Sequence, residues 1–121
     1  MLLGLRTIGY PITDISRAKE FYNALTGTTP YFDEPFYIGY NVGGYELGLD
    51  PNRTPSATTD GSLTYWGVEK IDAAIEHALA IGATPHLPIQ DVGGGIKIAS
   101  VLDPFGNVVG LIENPHFKLP A

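Results

Sequence analysis

The sequence predicts an α+β fold of two similar halves, each with one strand, one helix and about three further strands. Three observations support this prediction. Two stretches with apolar residues at helical spacing each follow a β-rich stretch. Short β-rich runs separated by turn residues follow both helical stretches. A polar linker, residues 51–61, lies between the halves. Since duplicated units of this size complete one another's core, we expect curved, partly open mixed sheets around a central cavity.

The first half, residues 1–50, opens with the apolar, β-rich stretch Leu2–Thr13. A helix is predicted in ISRAKEFYNALTG, with Asp14 suited to the N-cap and Gly27 to the stop. Its apolar residues recur at helical spacing: Ile15, Ala18, Phe21, Tyr22 and Leu25. Two strands, PFYIGYNV and YELGLD, follow the helix and are separated by the two-residue hairpin signal Gly43-Gly44.

The second half, residues 62–115, repeats this order. Residues 51–61 are rich in Pro, Ser, Thr and Asn and lack periodicity, so we predict an exposed linker before it. A strand is predicted in SLTYWGVE and a helix in IDAAIEHALAIGA, with Gly82 as its stop. The strands TPHLPIQ, GIKIASVL and NVVGLIE follow, and residues 116–121 form a tail. We expect the two halves to form a single domain.

The turn between the last two strands has a specific signature. Residues 103–106, DPFG, have the pattern of a type I turn followed by a left-handed glycine. This connection predicts that Ala99–Leu102 and Asn107–Glu113 are antiparallel partners. Gly110 interrupts the second of these strands, where glycine loses packing. Either Gly110 permits a bulge or the close approach of another chain segment, or it stands where a useful side chain has been lost.

Composition excludes several classes of function. The 121 residues are 44% hydrophobic and 17% charged, which suits one domain with a real core. The net charge of −6 argues against nucleic acid or an anionic membrane as a partner. The absence of cysteine excludes disulfides, thiolate metal ligands and cysteine nucleophiles. The first residues have no signal-peptide pattern, and no apolar run approaches the ~20 residues of a membrane span. We therefore expect a cytoplasmic protein.

The chain resembles the vicinal oxygen chelate superfamily, which includes glyoxalase I, bleomycin-resistance proteins and extradiol dioxygenases. The resemblance rests on TDISRAKEFYNALTG, on IDAAIEHALAIGA and above all on VLDPFGNVVGLIENP, with its Asp-Pro-x-Gly-Asn turn. It covers nearly the whole chain. It implies paired βαβββ modules and, in catalytic members, a divalent metal inside the curved sheet. It also implies a homodimer, since relatives often pair their modules across chains.

The resemblance places the metal ligands on the first and last strands of each module. Carried over to this chain, the four positions are Thr7, Glu46, Leu63 (or Thr64 if the register shifts by one) and Gly110. Only Glu46 is a good ligand, whereas catalytic divalent ions commonly have about three protein ligands. We therefore expect no metal and no other cofactor; a divalent metal at an unconventional site is the alternative.

Other candidate ligands are scattered. His77 lies in the second helix and His116 in the tail, while His86 lies on a strand. No pair of histidines has a metal-ligand spacing. Strand alternation sends Glu113 to the face opposite Gly110 unless a bulge intervenes, so whether His86 or Glu113 faces the cavity stays open.

The predicted ligand-binding residues are Thr7, Glu46, Leu63, Tyr65 and Gly110. Glu46 is the one candidate for catalysis, because desolvation without a metal would raise its pKa and suit it to general acid or base chemistry. We expect a protein that binds a small, partly apolar molecule. The alternatives are a metal-dependent lyase, isomerase or dioxygenase with an unconventional site, and an interaction module with a vestigial pocket.

Overall fold

The structure is a computed structural model that describes residues 5–53 and 63–118. The chain divides into two compact units. The first contains the described residues up to Arg53 together with Pro104–Asn107, and the second contains the other described residues. Each unit has the predicted order of strand, helix and three strands, although the sequence locates only two of the three later strands in the first half. Most of the predicted linker lies outside the described residues.

The first unit is a four-stranded mixed sheet with one helix. The sheet order is β1-β4-β3-β2, in which β1 pairs parallel with β4 and the other pairs are antiparallel. Its elements are β1 (Thr7–Pro11), α1 (Ile15–Thr26), β2 (Phe32–Glu34), β3 (Tyr37–Val42) and β4 (Tyr45–Asp50).

The predicted limits of α1 are confirmed. The Asp14 side chain accepts a hydrogen bond from the backbone N–H of the third helical residue at 3.1 Å, and Gly27 ends the helix with a left-handed φ of 71°. Tyr22 is fully buried on the inner side of α1 and stacks on Tyr10 of β1, with ring centroids 5.8 Å apart. Tyr22 also lies 6.5 Å from the ring of Tyr40 on β3. The helix therefore covers one face of the sheet.

The predicted hairpin at Gly43-Gly44 is also confirmed. Both glycines have positive φ, 59° and 91°, which is the backbone of a two-residue turn that matches the twist of the strands. The hairpin fixes the register of β4 against β3, with Asn41 opposite Glu46. Beside it, β2 is a short, exposed strand that the sequence pattern does not predict.

The second unit repeats this architecture. The sheet order is β5-β8-β7-β6, with β5 parallel to β8 and the other pairs antiparallel. The two mixed sheets with one helix each confirm the predicted α+β fold class, whereas the central cavity stays a prediction. The elements are β5 (Tyr65–Gly67), α2 (Ile71–Ala80), β6 (Thr84–Gly93), β7 (Ile96–Leu102) and β8 (Val108–Glu113).

Glu113 is a structural residue of the second unit. Lys70, at the N-cap of α2, offers no side-chain cap. Glu113 of β8 caps the helix instead, because its Oε1 accepts a hydrogen bond from the backbone N–H of Ile71 at 2.8 Å. A carboxylate at a helix N-terminus is also favoured by the helix dipole. Glu113 therefore lies on the helix side of the sheet, as strand alternation from Gly110 predicts.

Strand alternation places the core and the candidate site on opposite faces of each sheet. In β4, Leu47 and Leu49 are buried on the side of α1, and Glu46 and Gly48 lie on the other face. In β8, Val109 and Leu111 are likewise buried, which leaves Gly110 on the other face. Within residues 5–53 and 63–118, no helix is long and apolar enough to cross a membrane.

Candidate functional site

The face of the first sheet opposite α1 carries a carboxylate held by three hydroxyl groups. The register places Glu46 of β4 next to Thr7 of β1. The Thr7 hydroxyl donates to Glu46 Oε1 at 3.0 Å, and the Tyr37 hydroxyl donates to the same oxygen at 2.7 Å. The Tyr31 hydroxyl donates to Glu46 Oε2. We call these four residues the Glu46 cluster.

A row of glycines lies beside the Glu46 cluster. Gly48 of β4 is paired with Gly9 of β1 on one side and with Gly39 of β3 on the other. A Cβ added at Gly48 would overlap the hydroxyl group of Tyr37. A Cβ added at Gly39 would lie 3.0 Å from Glu46 Oε2 and 3.3 Å from the Tyr31 ring. The glycines therefore leave the space in which the two tyrosines reach the carboxylate.

The hydrogen bonds keep Glu46 charged. Donation from Tyr31 and then from Tyr37 lowers the pKa of Glu46 below its ordinary value of 4.5, with a further contribution from Thr7. Desolvation acts in the opposite direction and is outweighed. The expectation that the pKa of Glu46 is raised overall is therefore wrong. At neutral pH the group is a carboxylate with no proton to donate.

The pKa values of the two tyrosines shift in the opposite direction, upward. The hydrogen bond to Glu46 is the main reason that the pKa of Tyr31 is raised, followed by desolvation and by the Glu46 charge. For Tyr37, desolvation is the main reason that the pKa is raised, and the hydrogen bond to Glu46 comes second. Both phenols therefore stay protonated and act as donors to Glu46 well above neutral pH.

The residues at the four implied positions do not fit a divalent metal. Glu46 alone carries a carboxylate, and its oxygens already accept three hydrogen bonds. Leu63 and Gly110 have no donor atoms in their side chains. No group of three or more His, Cys, Asp or Glu residues that could hold a metal ion occurs in the described part of the chain.

Gly110 is required by a close approach of the chain. It lies opposite Tyr65 of β5 and Ser100 of β7. A Cβ added at Gly110 would overlap the carbonyl oxygen of Thr64 and lie 2.9 Å from Cδ1 of Tyr65. Of the two interpretations offered by the sequence, the structure supports the close approach. A carboxylate side chain at this position would force Thr64 to move.

The remaining predicted residues of the second unit are Leu63 and Tyr65. Leu63 is half-buried and precedes β5, whereas Tyr65 is the residue paired with Gly110. His86 is hydrogen-bonded to Ser100, with 2.8 Å between its Nδ1 and the serine Oγ. The same serine oxygen also accepts a hydrogen bond from the backbone N–H of Leu87 at 3.3 Å. Ser100 is buried and thus holds an irregular part of the β6–β7 pairing.

A shallow groove with a volume of about 30 Å³ lies on the second unit. It is lined by Tyr65, Leu87, Pro88, Gln90, Ile98, Ala99 and Ser100. None of these lining residues is charged, so the first unit, with its hydrogen-bonded carboxylate, is the better candidate for a functional site.

Sequence reasoning found half of the Glu46 cluster. Thr7 and Glu46 come together as the resemblance implies. Tyr37 lies in the predicted strand PFYIGYNV but is not predicted as a site residue, and Tyr31 lies outside the predicted strands. A signal for Tyr37 exists, since alternation along β3 puts it on the same face as Asn41, which pairs with Glu46. Tyr31 precedes the unpredicted strand β2, so no periodicity identifies it.

Comparisons with known proteins identify the class. The profile of the Glyoxalase/Bleomycin resistance protein/Dioxygenase superfamily matches residues 4–111, and the chain belongs to this superfamily. Two mycobacterial relatives, both named "Putative glyoxylase CFP32", come from Mycobacterium bovis and Mycobacterium tuberculosis. Each is 29% identical, over 86% of this chain and 43% of the relative. The chain thus spans less than half the length of these curated relatives.

Solved structures show the same fold. A glyoxalase-related enzyme from Fulvimarina pelagi superposes with a TM-score of 0.77 at 21% identity, over 99% of this chain and 94% of that chain. The fosfomycin resistance protein FosX from Listeria monocytogenes has a TM-score of 0.78 at 14% identity, over 96% and 97% of the two chains. At these identities the likeness concerns the fold alone, and it agrees with the two mixed sheets described above.

Proposed function

We propose that the protein binds a small, partly apolar molecule at the Glu46 cluster, without the divalent metal that catalytic relatives use. One observation carries this proposal: the carboxylate of Glu46 is held by three hydroxyl donors, from Thr7, Tyr31 and Tyr37. Such a carboxylate is fixed in place and is less available to a metal ion. It still accepts hydrogen bonds, because an ionised carboxylate has about four acceptor positions.

Aromatic side chains beside the cluster supply the apolar part of the site. Phe32 of β2 lies opposite Gly39 and therefore on the same face as Tyr37. The rings of Phe32 and Tyr37 are 6.2 Å apart, and Phe36 lies 6.0 Å from Phe32. Both phenylalanines are exposed. A fixed polar group next to apolar rings is the usual composition of a small-molecule site.

The names of related proteins fit this proposal. The superfamily name includes bleomycin resistance, and FosX is named for fosfomycin resistance. A metal-dependent enzyme is less well supported, because the residues at the four implied positions offer one carboxylate and Gly110 has no room for a second.

A ligand screen with matched variants tests the proposal. A library of small organic molecules is screened by thermal shift against the wild-type protein, Glu46→Gln and Glu20→Gln. Glu20 is an exposed residue of α1 and serves as the control for charge loss. We expect molecules that raise the Tm of the wild type and of Glu20→Gln but not of Glu46→Gln. Hits that stabilise all three proteins equally would contradict a site at Glu46.

Native mass spectrometry gives a second, independent test. The protein is purified without chelator and without nickel affinity, so that its own contents survive. We expect no stoichiometric divalent cation. The same spectrum tests the predicted homodimer through the subunit count. One tightly held divalent ion per chain would overturn the proposed metal-free site.

A further inference from the structure

We infer that the ligand of the Glu46 cluster is an organic cation, whose ammonium group faces the Glu46 carboxylate and lies against the neighbouring aromatic rings. This inference rests on the proposed function, since it names the chemical class of the bound molecule. Three features of the first unit support it: a carboxylate with no ion pair among the described residues, a free acceptor position, and exposed aromatic rings.

Glu46 forms no ion pair within 4.0 Å among the described residues, although Arg53 lies over Gly9 on the same face of the sheet. The ion pairs recorded there join Lys19 to Asp33 at 2.7 Å and Arg53 to Asp50 at 3.2 Å. Arg53 also donates from Nη2 to the carbonyl oxygen of Gly9 at 3.0 Å. The three partners of Glu46 are hydroxyl groups, which stabilise the anion but carry no charge. A positively charged ligand would supply the missing charge.

One acceptor position on the carboxylate remains. Oε1 accepts from both Thr7 and Tyr37, whereas Oε2 accepts from Tyr31. Since each carboxylate oxygen can accept about two hydrogen bonds, Oε2 has room for one further N–H donor. A donor that is itself ionised forms the stronger bond to a carboxylate.

The ring of Tyr31, which contacts Glu46, and the adjoining rings of Phe32 and Phe36 suit a cation better than an anion. Tyr31 and Phe36 are exposed over 64% and 59% of their surface, and Phe32 over 38%. An aromatic face attracts a cation through its quadrupole when the cation lies within about 6 Å of the ring centre. Glu34 lies opposite Tyr37 in the β2–β3 pairing and adds a second negative group to this face. An anionic ligand would meet repulsion from both carboxylates.

Three probes with one ring and different charges test the inference. Benzylammonium, benzyl alcohol and benzoate are titrated into the full chain at neutral pH, and binding is followed through the backbone amides of the first unit by NMR. We expect benzylammonium to bind at least about tenfold more tightly than benzyl alcohol. We expect no saturable binding of benzoate. The changes should centre on β3 and β4.

Variants separate charge from ring contact. Glu46→Gln should weaken benzylammonium binding about tenfold, and Glu20→Gln should leave it unchanged. Phe36→Leu, at an exposed position, should weaken it by about threefold through loss of cation–π attraction. If Glu46→Gln does not fold, as judged by circular dichroism and Tm, the Phe36→Leu result and the comparison of the three probes still test whether the ligand is a cation.

The outcomes distinguish this inference from the proposed function. Equal binding of benzylammonium and benzyl alcohol would overturn the inference and leave a neutral-ligand site at Glu46. Binding of none of the probes also overturns it, and the library screen then decides the proposed function separately. Tight benzylammonium binding that Glu46→Gln leaves intact would place the cation on another part of the surface and overturn the inference, while the library screen again decides the proposed function.

Discussion

The two sheets of this protein have the same strand order and pairing, but the centres of the faces opposite their helices differ. In the first unit, Glu46 lies between Thr7 and Asn41 and is held by hydroxyl groups. In the second unit, the central position is Gly110, and Thr64 covers the space that a side chain would need. The same architecture therefore supports a charged cluster in one copy and a closed position in the other.

The helix sides of the two sheets explain how this difference is tolerated. Leu47 and Leu49 of β4 and Val109 and Leu111 of β8 lie on the helix sides of their sheets, and all four are buried. Burial of such side chains is the main source of stability of a small domain. The opposite faces contribute less to the fold, so their residues can diverge. Function is therefore expected where the faces differ and stability where they agree.

The largest expected effect tests the buried helix side, which both sheets have. Leu47→Ala and Leu111→Ala each remove a buried side chain next to the central position of the sheet. Each should lower the free energy of unfolding by about 2–5 kcal/mol, because the transfer energy is lost and a cavity remains. Denaturant unfolding measures both. A loss in one unit and none in the other would show that the helix sides are not equivalent.

The next prediction concerns Gly110 in the second unit, where Thr64 occupies the space that a side chain would need. Gly110→Glu restores the carboxylate that the resemblance implies, and should destabilise the protein by about 1–3 kcal/mol because the side chain overlaps Thr64. Gly67→Ala on the neighbouring strand is the control, since nothing lies within 4 Å of the added Cβ. We expect it to be nearly neutral. A Gly110→Glu protein of normal stability that binds a divalent ion would contradict the account of this position.

A smaller effect is expected at the glycine row of the first unit. Gly48→Ala places a methyl group where the Tyr37 hydroxyl lies, so Tyr37 should leave Glu46. The pKa of Glu46 should then rise toward its ordinary value of 4.5 because one donor is lost. An NMR titration of the Glu46 carboxyl group measures this change. An unchanged titration would mean that Tyr37 contributes little to the charge state of the cluster.

The smallest expected effect is on the dependence of stability on pH. The pKa of Glu46 is lowered in the folded protein, so its contribution is present above 4.5 and is lost as the pH falls through the lowered value. Glu46→Gln should remove this part of the acid sensitivity. It should also lower the pKa of Tyr31 toward 10.0, because the hydrogen bond to Glu46 is the main cause of its rise. Acid unfolding and the phenolate absorbance in alkaline solution measure the two changes.

Local signals in the sequence predicted the local structure well. Asp14 and Gly27 delimit α1, and Gly43-Gly44 form the hairpin, because each depends on a backbone conformation that its own residue type favours. The strand β2 was not predicted, since its three residues are all exposed and its pairing with β3 depends on the rest of the sheet.

Contacts between distant residues explain what the sequence did not predict at the site. The hydroxyl group of Tyr31 reaches Glu46 across 15 positions of sequence, and Thr7 reaches it across 39. Thr7 was found only through the family resemblance. The direction of the Glu46 pKa shift was missed because it depends on the tyrosine donors, which were not recognised. Gly110 allowed two interpretations until the position of Thr64 was known.

The most direct test of the account follows the Glu46 carboxyl group itself. Its side-chain carbon resonance is observed by NMR at neutral pH while the full chain is titrated with benzylammonium and, in a separate sample, with zinc ions. The account predicts a saturable shift of this resonance with benzylammonium and no stoichiometric zinc binding at Glu46. Zinc bound at Glu46 in a one-to-one ratio, with no response to benzylammonium, would contradict it.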